Sequence, residues 1–516
     1  MHSPALELKE GPAKGGQLRF RALGVVILCL ATSGCAGLSR WFKNGFKLGP
    51  NYETPFAAVG DQWIENADPS VISKPPRYEK WWKVFKDPAL DDLVEKAYRQ
   101  NLTLREAGLR VMRAREQRAI VAGNLFPQSQ KATGHYAHEE VSFEAEAPFV
   151  PSGVRRINDW KFGINTAWEL DVWGKFRRAV ESADANLEAS VQSYDAILEG
   201  LVAEVATAYA EIRTYEQRLE YARESVKIQE GSVALTTERA AAGATSEVGV
   251  SLAQSRLDST RASIPVLETG LRLTNNRLCT LLGIPPKDLV RKLRGNRGIP
   301  SAPSSISVGI PADLLRRRPD VREAAAQVAA QSARIGIAES ELYPSFVISG
   351  EIFVEAAEFN NLFKSRARGG GVGPSFSWNI LNYGRLVNNV RVQELRAQEL
   401  VENYKSTVLR ANEEVEDGLV SFLKTQEQTE LLTSSVDATR KSLDLLTIQF
   451  TEGKIDYSPV FLLQGILTSD KDRQAAAEGN VAISLIEVYK ALGGGWEIRK
   501  QPSSSPPDTD EEIQKK

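Results

Sequence analysis

The chain has 516 residues, with 64 basic and 66 acidic side chains and a formal net charge of −2. That balance gives no electrostatic hold on a phosphate backbone and excludes nucleic acid as a partner class. Three cysteines in so long a chain, two of them within the first 35 residues, exclude a disulfide-stapled fold, so stability rests on packing.

The N-terminus comes first in chain order. Lys14, Arg19 and Arg21 precede an apolar run over residues 22–30, too short to span a bilayer as a helix but ordered as an export signal. Small residues follow, then Cys35. The string Leu30-Ala31-Thr32-Ser33-Gly34-Cys35-Ala36 resembles a bacterial lipoprotein cleavage site, with Thr32 where such sites carry a branched apolar residue. The resemblance makes residues 1–34 a lipoprotein signal peptide and Cys35 a diacylated new N-terminus. A plain signal peptide with an incidental cysteine is the competing reading. Ala36, not aspartate, implies sorting to the outer membrane. Cys29 leaves with the signal, which leaves Cys279 as the one free thiol.

Residues 35–75 are rich in Gly, Pro and aromatic side chains without helical period, and read as a lipid-anchored extended arm. Residues 79–125 are helical, with Leu90, Leu93, Val94, Ala97 and Tyr98 at spacings of three and four; Asp87-Pro88 marks a start and Asn101 a break. After Pro127 the period becomes two. A weak strand is expected over residues 131–138. Over residues 161–171, Phe162, Ile164, Thr166, Trp168 and Leu170 face one way, and Lys161, Gly163, Asn165, Glu169 and Asp171 the other. A long helix over residues 175–241 would extend about 100 Å. A turn at Gly243-Ala244-Thr245-Ser246 and a return helix over residues 248–282 complete the pattern.

That pattern then repeats. Trp168-Glu169-Leu170-Asp171-Val172-Trp173-Gly174-Lys175 returns as Trp378-Asn379-Ile380-Leu381-Asn382-Tyr383-Gly384-Arg385 at a shift of 210 residues, and Gly243 and Leu282-Gly283 return as Gly453 and Leu492-Gly493. Leu125-Phe126-Pro127 returns as Leu342-Tyr343-Pro344 at a shift of 217. The chain thus divides into a first repeat (76–288), a Gly/Pro/Ser-rich linker (289–311), a second repeat (312–498) and a polar tail (499–516). In the second repeat Phe346, Ile348, Ile352 and Val354 form one apolar face. Val372, Phe376, Trp378 and Ile380 form another, against Gly373, Ser375, Ser377 and Asn379. Alternating segments of about ten residues fit the length of a membrane-spanning strand.

Each repeat supplies two strands, so the chain has four. Four strands cannot close a barrel, and an open edge in hydrocarbon leaves backbone groups unpaired at several kcal/mol each. Three copies would supply twelve strands, with the duplicated helices continuing as a pseudo-sixfold tube. Asn165, Glu169, Ser375 and Asn379 would then face water, and Trp168 and Trp378 would join an interfacial aromatic girdle.

Further motifs make the reading specific. Leu48-Gly49-Pro50-Asn51-Tyr52 with Pro55, Trp81-Trp82 with Phe85, and Leu314-Leu315-Arg316-Arg317-Arg318-Pro319-Asp320-Val321 resemble the outer-membrane efflux factor family of TolC-like channels, in its lipoprotein branch. The resemblance covers residues 48–493. It implies an α+β membrane protein, a homotrimer whose 12-stranded outer-membrane β-barrel continues as a periplasmic α-helical coiled-coil barrel. It also implies a passive duct of a tripartite efflux system, which docks on a periplasmic adaptor protein and an inner-membrane pump, often of the resistance–nodulation–division class. The turns at Gly243, Ala244, Thr245 and Ser246, and at Gly453 and Lys454, would be the adaptor-contacting tips. The family often narrows its pore with an aspartate just beyond the second tip. Here the matching position is Leu462, preceded by Phe461, with Asp456 the nearest carboxylate, so these three are the gate candidates and the expected constriction is more apolar.

No nucleophile–base constellation, metal site or cofactor motif stands out. His135 and His138, three apart on a strand, face opposite ways. Gly369-Gly370-Gly371 precedes a strand, not the helix a phosphate cradle needs. Arg155-Arg156 and Arg316-Arg317-Arg318 read as solvated positions. Alternation also suits a soluble sandwich, which leaves a lipid-anchored periplasmic coiled-coil scaffold as the rival to a channel.

Overall fold

A computed structural model describes residues 41–74, 79–140, 156–291, 293 and 298–500. The signal segment, Cys35, Arg155 and residues 501–516 lie outside the described residues. In chain order the first repeat holds β1 (Val71–Ile72), α1 (Pro88–Gln100), α2 (Leu102–Gly123), β2 (Ser129–Glu140), β3 (Arg156–Leu170), α3 (Lys175–Ala241) and α4 (Glu247–Leu281). After β4 (Ile306–Ser307) come α5 (Pro319–Ser340), β5 (Ser345–Ala356), β6 (Arg368–Ser377), α6 (Arg385–Thr451) and α7 (Tyr457–Ala491). Among the described residues two compact units emerge, one within residues 41–53, 117–184 and 329–398, the other within residues 54–116, 185–328 and 399–500.

The first unit holds one antiparallel sheet in the order β2-β3-β5-β6. Its register sets Phe162 opposite Val354, Ile164 opposite Ile352 and Trp168 opposite Ile348, and continues with Phe346 opposite Phe376. Side chains two apart share a face, so this register gathers the apolar residues of three strands on one side. The opposite side carries Lys131, Thr133, Asn165, Glu351, Ser349 and Ser375. Phe353 departs from that polar face. Its ring covers the position where a Cβ on Gly369 would stand, its own Cβ crowds the matching position on Gly163, and Lys161 sits 3.9 Å above the ring centroid. β6 ends at Ser377, short of the expected Trp378 and Ile380. Trp378 instead turns its indole to the carbonyl of Leu342 at 3.0 Å.

The arm is pinned in this same unit. Trp41 donates to the carbonyl of Val172 (3.1 Å) and packs on Trp173, while Leu48 N donates to the carbonyl of Trp173 (3.0 Å). Arg177 takes the carbonyls of Gly45 and Phe46, each at 2.8 Å. The buried Arg178 takes those of Leu48 (2.8 Å) and Gly49 (2.9 Å). Gly49, at φ +80°, crosses α5 at Gly336 so closely that a Cβ on either would strike the other strand of backbone. Only glycine meets both demands.

The second unit is a helical core. Asp87 caps α1 through Ala89 N (2.9 Å) and also accepts from the Tyr209 hydroxyl (2.6 Å). Asn101 breaks α1 from α2 as its sequence position suggests, accepting from Leu104 N (2.8 Å) and donating to the carbonyl of Leu281 (2.9 Å). Trp81 stacks on Tyr489 at 5.5 Å. β1 and β4 pair in parallel, which ties the linker to the arm. Arg318 corrects the expectation of a solvated arginine run. It is buried, paired with Glu414 (2.6 Å) and Asp320 (2.7 Å), and donates to the carbonyl of Ala491 (3.0 Å). Burial pushes the nearby Glu199 carboxyl well above the ordinary carboxylate range.

Candidate functional site: an amphipathic sheet and two helical tips

Two features of the sheet are unusual for a protein in water. Its apolar face has no cover among the described residues: Ile164, Ile352, Val372 and Phe376 are each more than 60% exposed. Both of its edges, β2 and β6, are also open. Open edges and a bare apolar face together make a sheet stable only when another surface completes it. His135 and His138 point to opposite faces of β2, as their spacing implies. His135 sits 3.1 Å from Asp159, and His138 lies 2.6 Å from Asn158.

The tips belong to the second unit. α3 ends with Gly243 at φ +71°, its N–H on the carbonyl of Ala240 (3.0 Å) and Ala244 N on that of Arg239 (2.8 Å). α6 ends the same way, with Gly453 at φ +78° bonded to Phe450 (2.9 Å) and Lys454 N to Gln449 (2.9 Å). These paired bonds are the left-handed helix terminus that glycine favours. Thr245 is half-buried, whereas Gly243, Ala244, Ser246, Gly453, Lys454 and Asp456 are exposed. Ser246 and Asp456 stand at the N-caps of α4 and α7, yet neither side chain makes a capping bond.

Phe450, Tyr457, Val460 and Ala253 form a small core behind the tips. Arg239, on α3, donates to the carbonyl of Phe450 and lies 4.6 Å over its ring, so the first tip holds the second. Of the gate candidates, Leu462 is exposed, Phe461 is half-buried, and Asp456 belongs to the turn. The residue that sequence reasoning missed is Arg256. Its guanidinium covers the Phe461 ring at 4.7 Å and fills the space that Gly465 leaves open. Gly465 inside an otherwise regular helix was the available signal, because such a glycine often marks a close approach. Tyr457 donates to Gln464 (2.9 Å), which donates to Ser232 (2.7 Å) and ties α7 to α3.

Comparison with known proteins decides what this architecture is. Residues 93–284 and 310–494, one segment per repeat, match the outer membrane efflux protein family. The chain belongs to that family. Nodulation protein T of Rhizobium leguminosarum bv. viciae is 29% identical over 461 residues, 88% of this chain and 92% of its own. The probable outer membrane lipoprotein SilC of Salmonella typhimurium is 27% identical over 454 residues, 87% of this chain and 95% of its own. Among solved structures, the outer-membrane channel OprN superposes with a TM-score of 0.81 at 31% identity, covering 87% of this chain and 99% of that one. This outer membrane efflux protein is therefore a transport protein, mostly helical with a β-sheet part.

Proposed function

We propose that the chain is the outer-membrane channel subunit of a tripartite efflux system. Three copies close a 12-stranded barrel from their four-stranded sheets and continue it as a periplasmic helical barrel. The single observation that carries this reading is the sheet: a bare apolar face and two open edges on strands of ten to fifteen residues. Hydrocarbon covers such a face, and neighbouring copies satisfy such edges. The polar face then lines a water-filled passage that conducts small molecules passively. Cys35 carries the lipid that anchors the arm at the outer membrane, a role supported by the lipoprotein relative.

In this reading the duct takes cargo from an inner-membrane pump of the resistance–nodulation–division class through a periplasmic adaptor. The adaptor meets the exposed tips at Gly243, Ala244, Thr245, Ser246, Gly453 and Lys454. Phe461 and Leu462 narrow the entrance beside Asp456, and Arg256 positions the Phe461 ring. The test is a mass measurement of the detergent-purified chain followed by conductance in planar bilayers. A trimer with a small resting conductance that rises in Phe461→Ala and Leu462→Ala supports both duct and gate. A trimer whose conductance those changes leave untouched removes the gate assignment. A monomer released from membranes by removing the lipid alone favours the periplasmic scaffold instead.

A further inference from the structure

The duplication places a pair of aromatic side chains twice, and the chain satisfies only one of the two. Trp173 stacks on Tyr343 with ring centroids 4.7 Å apart and an interplanar angle of 29°, and its indole donates to the carbonyl of Pro344 at 2.8 Å. By the shifts of 210 and 217 residues, the counterparts of Trp173 and Tyr343 are Tyr383 and Phe126. Within the chain these two are bare: Tyr383 is 99% exposed and Phe126 69%.

The backbones flanking the two pairs agree, although Tyr383 takes a left-handed φ that Trp173 does not. Gly174 and Gly384 have φ of +81° and +80°, and each accepts the bond that opens its helix, from Arg178 N (2.8 Å) and Asn388 N (2.9 Å). Phe126 N bonds to Gly123 (3.2 Å) just as Tyr343 N bonds to Ser340 (3.3 Å). The second half-site therefore keeps the flanking bonds of the first, and what it lacks is its partner. Tyr383 also holds φ at +50°, a left-handed conformation that a non-glycine residue keeps only when surroundings enforce it. Nothing among the described residues covers its ring to do so.

The direction of the contact fixes the occupant. Inside the chain, the first repeat's Trp173 reaches the second repeat's Tyr343. Continued in the same sense, the second repeat's Tyr383 reaches a first repeat, which must belong to another copy. Head-to-tail contacts of this kind close into rings. We propose that Tyr383 of one copy stacks on Phe126 of the partner subunit, sealing the junction between sheet and helices at each subunit boundary. The proposal rests on the assembly argued above and adds the residues that lock it.

The test uses the full-length chain in a Cys279→Ser background, purified in detergent and treated with a short bismaleimide. Tyr383→Cys and Phe126→Cys are co-expressed as separate single variants, with Trp173→Cys/Tyr343→Cys in one chain as the intrachain control. A dimer-sized product from the co-expressed singles, and from neither alone, is expected. So is a 2- to 10-fold faster subunit exchange in Tyr383→Ala, roughly the range of one aromatic pair, with no further gain on adding Phe126→Ala. A trimer by mass that yields no interchain product, while the control pair links, overturns the contact and leaves the channel reading standing. A Tyr383→Cys/Phe126→Cys chain that links only within itself also overturns it. So does a Tyr383 ring quenched by membrane-confined bromolipid, since the surface would then face lipid. A monomer in detergent overturns the assembly and this contact together.

Discussion

The two sheet-to-helix junctions share a left-handed glycine and the bond that opens the helix, and have opposite surroundings. At the first, Trp173 and Gly174 lie under the arm, with Trp41 against the indole and Lys47 against the glycine. At the second, Tyr383 stands free and a Cβ on Gly384 would meet only Asn388. The difference follows from a few side chains. Arg177 and Arg178 grip the arm's carbonyls, and their counterparts at a shift of 210 are Val387 and Asn388. Gly336 lets the arm cross α5, and its counterpart at a shift of 217 is Ala119. A duplicated backbone thus acquires two roles through three positions. One junction binds the arm, and the other is left bare.

That contrast can be broken most sharply by placing the same change at paired positions. Gly336→Val drives a branched side chain into the carbonyl of Leu48 and the stem of Arg178, a cost of about 1–3 kcal/mol. Limited proteolysis should then cut the arm within residues 41–53. Ala119→Val, exposed, should change stability by less than about 0.5 kcal/mol and leave the arm protected. Equal effects at the two positions would show that the arm does not depend on this crossing. Arg178→Ala should also free the arm, since buried carbonyls that lose their donor cost about 1–3 kcal/mol. Asn388→Ala should leave arm cleavage unchanged.

A second asymmetry is electrostatic. Glu199 is buried with one carboxylate oxygen lacking any partner, while its counterpart at a shift of 210, Leu409, is exposed. Burial raises the Glu199 pKa from an ordinary value of 4.5, so the fold favours its neutral form. Below that value both folded and unfolded chains hold the proton and the fold keeps its full stability. As pH rises above 4.5 the unfolded chain ionises first, and stability falls until the folded-state pKa is passed. Glu199→Gln should flatten that fall, so melting curves of variant and wild type should separate increasingly from acid toward neutral pH. A constant separation would mean that Glu199 is already ionised in the fold.

The smallest expected effect tests where the repeats agree. Gly243→Ala and Gly453→Ala both force a side chain into the left-handed region, at about 1 kcal/mol each. Gly453→Ala should be the worse, because Arg239 lies 3.1 Å from the added Cβ whereas nothing lies near Gly243. Thermal melts of the two single variants decide the order.

The sequence by itself determined the parts whose signal is local. Period-two alternation marked β3 and β5, Asp87-Pro88 and Asn101 marked helix limits, and Gly243 and Gly453 marked the tips. A strand's alternation, a cap and a left-handed turn depend on residues within one or two turns of chain, so they are written where they act. Even there the strand ends shifted. β6 stops at Ser377 because Trp378 finds a carbonyl in the α5–β5 turn, a partner 36 residues away.

Tertiary structure alone decided which of several similar side chains are buried. Arg317 and Arg318 are neighbours in one run, yet Arg318 enters the core because Asp320, Glu414 and the end of α7 converge on it. Arg177-Arg178 looks like any basic helix start until the arm's carbonyls arrive from residues about 130 positions earlier. Arg256 and Phe461 sit on different helices, and neither announces the other. Desolvation and hydrogen-bond satisfaction are set by what packs around a group, not by its neighbours in sequence. The duplication therefore fixed two similar backbones, and long-range packing gave them different partners.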